Sequence, residues 1–191
     1  MGFYKIVDEP VGKGAYVSFC PPQDEVFDMA MARHYISTGN CPGGYGMLLK
    51  RVLAQGGDTV SINETGITVN AGLLPNSAQL KTDIDGSVLP QYRLGEKMLG
   101  DSEYLLMSDV NPNSFDARYF GLIAHAQIQH VVEPVFTWGK WASGLVELIQ
   151  FKRQKRRYDR VPLAYEGLFG LLLFDSSVLE TERENDFELT R

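Results

Sequence analysis

The chain has 191 residues, of which 44% are hydrophobic and 22% charged, so it can bury a core of ordinary size and is not a disordered or low-complexity polypeptide. Its formal net charge of −6 argues against a nucleic-acid partner, because phosphate binding rests on clustered Lys and Arg. No run of about 18 apolar residues is present, and residues 1–20 carry charges where a secretory leader needs an apolar heart; composition alone therefore leaves the chain in the cytoplasm.

Taken in order, residues 3–7 and 15–19 alternate as two strands around a turn with Pro10, Gly12 and Gly14, and Pro21-Pro22 ends the second. Residues 24–35 read as a helix. Asp24 suits the N-cap, and Phe27, Ala30, Met31 and His34 fall at i, i+3, i+4 and i+7, which puts His34 on the half-buried apolar face. Residues 39–46 form a glycine-rich loop without the Gly-Lys-Ser/Thr ending of a phosphate loop.

Residues 47–54 then alternate as a strand. Leu48, Lys50, Val52 and Ala54 share one face, and Leu49, Arg51 and Leu53 the other. Lys50 thus stands among apolar neighbours. An ammonium there either snorkels to water or loses hydration and becomes a neutral amine, which is the form a general base requires. Gly56-Gly57-Asp58 turns the chain into a hairpin of residues 59–62 and 67–70. Residues 71–100 are irregular, 103–108 form another strand, and 122–138 hold one or two more. Short strands and frequent Gly/Pro turns predict a mainly β domain with one or two short helices, built as a folded sheet or partly open barrel.

Two cysteines, Cys20 and Cys41, are each followed by proline. From the residues alone they are equally a disulfide or two reduced, buried thiols, because the compartment decides. His34, His125 and His130 show no zinc-ligand spacing, and neither a metal nor a cofactor is expected.

The end of the chain differs in character, which divides it into residues 1–138 and a C-terminal extension, 139–191. Trp141, Leu145, Leu148 and Ile149 suit one helix face, and six Lys/Arg follow between residues 152 and 160. That basic run reads as a solvated helix face, with contact to anionic lipid as the alternative. The apolar stretch at residues 168–174 is too short to span a bilayer.

Leu49-Lys50-Arg51-Val52 followed by Gly57-Asp58 resembles the lysine box of the type I signal peptidases, and more particularly of their conjugative-transfer (TraF-like) branch. Phe19-Cys20-Pro21-Pro22, Cys41-Pro42-Gly43-Gly44 and Ser114-Phe115-Asp116-Ala117-Arg118-Tyr119-Phe120-Gly121 match in the right order, so the resemblance covers roughly residues 2–138. It implies the folded β-sheet catalytic domain shared with LexA-like proteins. It also implies a serine endopeptidase with Lys50 as general base, Ser114 orienting the Lys50 amine, and Asp116 and Arg118 as an ion pair shaping the site, with Asp58 in support. Asp116 matches an aspartate needed for activity in the branch. The family works outside the cytoplasm, which implies a Cys20–Cys41 disulfide.

The resemblance further implies a pilin precursor as substrate, other type IV secretion components as partners, and action at the periplasmic face of the inner membrane through an N-terminal anchor. Gly2-Phe3-Tyr4 aligns with the end of the family's Ser-x-Pro-x-Gly-Phe-Tyr motif, which would set the nucleophilic serine just ahead of Met1. The residues from Met1 onward are therefore expected to be inactive by themselves. Two other readings remain. One is a non-catalytic module that binds pilin or secretion components. The other is a cytoplasmic self-cleaving regulator, against which the paired Cys-Pro boxes and the missing DNA-binding segment weigh.

Overall fold

The computed structural model describes residues 2–137 and 172–174. Eleven strands are present: β1 (Gly2–Val7), β2 (Tyr16–Phe19), β3 (Leu48–Ala54), β4 (Thr59–Asn63), β5 (Gly66–Val69), β6 (Gly72–Leu73), β7 (Leu94–Met98), β8 (Glu103–Met107), β9 (Ile123–Ala124), β10 (Ile128–Thr137) and β11 (Leu172–Phe174). Two α-helices accompany them, α1 (Glu25–Ala32) and α2 (Ala117–Phe120). The strands form two antiparallel sheets, one in the order β11-β1-β10-β2-β3-β8-β9 and the other β6-β5-β4-β7. The expected mainly β architecture with short helices is what forms.

β3 lies inside the larger sheet, flanked by β2 and β8. Its residues alternate buried and half-buried along their whole length, with Leu48, Lys50, Val52 and Ala54 on the buried side. Val17 is the cross-strand partner of Lys50, so it points to the same face. Both helices pack there. Phe27 of α1 sits 5.1 Å from Phe120 of α2, ring centre to ring centre, and Phe115 stacks on Tyr119 at 5.8 Å. This aromatic cluster joins Phe19 of β2 through Phe120. β3 turns into β4 through Gly57, whose φ of +87° only glycine adopts without strain. Asp58 ties that turn down: it accepts from Lys13, from Asn70 and from the amide of Gln55.

Helix α1 is shorter than the expected 24–35. Asp24 does cap it, accepting from the Val26 amide. The helix stops at Ala32 because His34 takes φ +60°, a left-handed turn. The i+7 position is thereby lost, and His34 is exposed rather than half-buried on an apolar face. Strand β7 appears within the stretch read as irregular, pairing with β4. The box from Ser114 to Gly121 contains the single helical turn of α2.

Cys20 and Cys41 are joined in a disulfide, with Cα atoms 5.4 Å apart. The bond links the end of β2 to the loop that leads into β3. The expected helix at residues 141–149 and the basic run at 152–160 lie outside the described residues. Of the apolar stretch beyond them, Leu172–Phe174 pairs with β1, with Leu173 opposite Phe3.

The disulfide closes a loop with a sequence separation of 21. Replacing both cysteines with serine is expected to lower unfolding free energy by about 3 kcal/mol, chiefly by freeing the unfolded chain. Urea denaturation measures this, and an unchanged midpoint would count against a structural role for the bond.

Candidate functional site

The site grows from the middle of β3. Lys50 is 7% exposed, and no hydrogen bond to its amine is present among the described residues. Burial pushes its pKa below the ordinary lysine value. Asp116 acts in the opposite direction, and Arg118 adds to the lowering. Of the two possibilities for this lysine, its burial favours loss of hydration over snorkelling to water.

Asp116 and Arg118 are wholly buried. Asp116 is the N-cap of α2 and accepts from the Arg118 amide. It also takes the Arg118 guanidinium in a two-pronged pair, Nε to Oδ1 at 2.8 Å and Nη2 to Oδ2 at 2.9 Å. Oδ2 further accepts from the Ser108 amide at 3.1 Å. Ser108 directly follows β8, whose last residue, Met107, pairs with Arg51. The strand pairing therefore delivers the carboxylate toward the level of Lys50.

Backbone carbonyls surround the rest of the guanidinium. Nη1 donates to Asn76 and Pro112, and Nη2 to Asn111 and Ser114. This pair has no contact with water, so it is a buried ion pair rather than a surface one.

Ser114 is 4% exposed, and its hydroxyl has no hydrogen-bond partner among the described residues. A buried hydroxyl without a partner carries a desolvation cost that a working role would explain. The Ser18 hydroxyl is in the same condition. Ser18 pairs with Leu49 rather than Lys50, however, so it points to the opposite face of the sheet.

Lys50, Asp116 and Arg118 thus form one electrostatic unit, and Ser114 is attached to it through its carbonyl. Asp58 stands apart: its bonds go to Lys13, Asn70 and Gln55, and it braces the turn after β3. Burial alone would raise its pKa, but these bonds outweigh burial and lower it. Arg51, next to Lys50, faces the other way, where it pairs with Asp109 and lies over the Tyr16 ring. Sequence reasoning missed Asn76 and Gln79, which bind residue 118 from outside its box. Pro75-Asn76 carries a turn signature, and Asn76 does adopt φ +53°, but nothing near Gln79 marks it.

Chemically, the arrangement offers an amine whose pKa is lowered by burial beside a locked ion pair. That amine can take a proton from a hydroxyl or a water molecule and return it to a leaving group.

The family model described as signal peptidase, peptidase S26, matches residues 3–138. A plasmid transfer protein TraF of Escherichia coli is 53% identical over 138 residues, covering 72% of this chain and 78% of that one. A probable conjugal transfer protein TraF of Sinorhizobium fredii is 32% identical over 142 residues, covering 72% of each. Among solved structures, a signal peptidase I from Enterococcus faecalis matches 65% of this chain and 98% of its own, at 15% identity and a TM-score of 0.34.

Two outcomes are expected. Asp116→Ala leaves the Arg118 guanidinium buried without its counter-ion and should destabilise the fold by roughly 3–5 kcal/mol in urea unfolding. The second concerns pH. A lysine whose folded pKa is depressed has already released its proton in the folded state at pH values where the unfolded chain still binds one. Stability therefore rises with pH from the lowered Lys50 value up to the ordinary 10.5. Subtracting the pH profile of Lys50→Met from that of the wild type isolates this rise from the tyrosines that titrate nearby; a flat difference would mean that the Lys50 pKa is not depressed.

Proposed function

The chain belongs to the signal peptidase family, peptidase S26, and on that premise we propose that it is the catalytic domain of a serine/lysine endopeptidase that cuts a pilin-type precursor during conjugative transfer. The observation that carries this reading is Lys50, buried on a central strand with its pKa lowered by burial beside the Asp116–Arg118 pair. Conjugation enters through the TraF relatives, whose names state transfer of plasmids or conjugal transfer.

In this reading the nucleophile is a serine placed ahead of Gly2-Phe3-Tyr4. Its hydroxyl proton passes to the Lys50 amine as Oγ attacks the scissile carbonyl. The resulting ammonium protonates the departing amine, leaving an acyl ester on the serine. Lys50, neutral again, takes a proton from water, which attacks the ester; the Lys50 ammonium then returns that proton to the departing serine Oγ, which frees the acid product and restores both groups. For catalysis the Ser114 hydroxyl, which makes no hydrogen bond among the described residues, has to turn to the Lys50 amine and orient it, and Asp116 and Arg118 fix the position of that serine's backbone. The reaction takes place at the periplasmic face of the inner membrane, where a disulfide persists. Asp58 supports the site at one remove, through the turn that ends the lysine strand.

The reading is tested with a protein that carries Ser-x-Pro before Gly2 and an apolar anchor ahead of it. Such a protein is expected to cleave a pilin precursor in membranes, and Lys50→Ala is expected to slow cleavage about a thousandfold. No cleavage, together with retained pilin binding, would favour a binding module over a peptidase.

A further inference from the structure

Segment 76–93 connects β6 to β7 of the smaller sheet, and one of its side chains reaches the α2 box of the candidate machinery. We propose that Gln79 is a positioning residue that clasps α2 and so sets the surroundings of Lys50. The proposal rests on the peptidase reading for its functional meaning, but not for its geometry.

Helix α2 has four residues, too few to hold itself together. Its end carbonyls cannot be satisfied within the helix. The Arg118 carbonyl is one of these, and it accepts from Gln79 Nε2 at 2.6 Å. The same amide nitrogen donates to the Tyr92 carbonyl at 2.7 Å, while Gln79 Oε1 accepts from Arg93. Gln79 is 8% exposed, so these bonds are made away from water.

Three further contacts draw the same segment onto α2. The Asn76 carbonyl accepts from the Arg118 guanidinium. The Leu80 amide donates to the Tyr119 hydroxyl. The Tyr92 ring covers Gly121 so closely that a Cβ there would lie 2.5 Å from it. Asn76 also donates to the Asp109 carbonyl, and Asp109 pairs with Arg51, the neighbour of Lys50.

Arg118 is therefore held at its amide by Asp116, at its guanidinium by Asp116 and carbonyls, and at its own carbonyl by Gln79. Asp116 and Arg118 are the charged groups that act on Lys50. Removing the Gln79 side-chain bonds leaves the buried Arg118 carbonyl without this donor, and the half-buried Tyr92 carbonyl as well; α2 relieves this by shifting or by admitting water. Water weakens the desolvation of Lys50. A displaced Arg118 leaves the Asp116 charge less compensated. Both changes favour the protonated amine.

The test is an NMR titration of Lys50, followed at its Cε in the full chain, so it does not depend on cleavage. Gln79→Met keeps the length of the side chain and removes its hydrogen bonds. It is expected to move the Lys50 midpoint upward, so that the deprotonated fraction at fixed pH falls about threefold. Gln91→Ala is the control, because among the described residues the Gln91 side chain bonds only to carbonyls within the segment, those of Leu80, Leu89 and Pro90. It should leave the Lys50 titration in place.

A lower melting temperature for Gln79→Met with an unmoved Lys50 midpoint overturns the proposal, as does an equal shift from Gln91→Ala. If Gln79→Met does not fold, the wild-type chain still decides. Coupling is reciprocal, so the Gln79 side-chain amide signal should move with the Lys50 midpoint, and a flat signal overturns the proposal. Because these readouts need no nucleophile, failure here leaves the peptidase reading untouched, and failure of cleavage leaves the clasp untouched.

Discussion

Arg118 and Asp116 lie wholly out of water, and a guanidinium in that position is tolerated only when its nitrogens all find acceptors. Asp116 supplies two oxygens, and backbone carbonyls of residues 76, 111, 112 and 114 supply the rest. That demand shapes three pieces of chain at once. The loop after β8 must curl so that its carbonyls converge. The segment around Asn76 must come in from the smaller sheet. Helix α2 must begin at Asp116, because the same carboxylate caps it.

The demand also explains why a lysine next to a carboxylate still has a lowered pKa. Asp116 is already committed to Arg118 and to the Ser108 amide, so Lys50 gains only part of its attraction. Arg118, at the same place, repels it. Burial is left as the dominant effect on the amine. Had Asp116 been free to bond Lys50 directly, the pair would have stayed charged and the amine would have been a poor base.

What could be read in the sequence follows from the range of the interactions. The faces of β3 depend on a two-residue period, and so the inward side of Lys50 was legible. The Asp24 cap was legible for the same reason. The end of α1 was not, because the hydrophobic period continued to His34 while the backbone had already turned left-handed. The disulfide could not be derived from residue spacing; it came only with the family resemblance. The burial of Asp116 and Arg118 depends on carbonyls that any residue type carries, and Gln79 meets residue 118 across 39 positions of chain. Contacts of that kind leave no local pattern.

The remaining step concerns precision. A general base must be held near the atom it deprotonates to within a fraction of an ångström, and a lysine side chain has four rotatable bonds. The backbone that carries Lys50 is fixed on every side. Before it, the Cys20–Cys41 bond ties the entry of β3 to the end of β2. After it, Asp58 closes the exit turn onto Lys13 and Asn70. Laterally, β2 and β8 pair with it. The flexible end of the side chain then enters a space whose walls are an apolar core and an immobile ion pair. Freedom is removed from the strand by covalent and backbone bonds, while the amine itself makes no hydrogen bond among the described residues. The Ser114 hydroxyl is likewise buried and makes no hydrogen bond among the described residues.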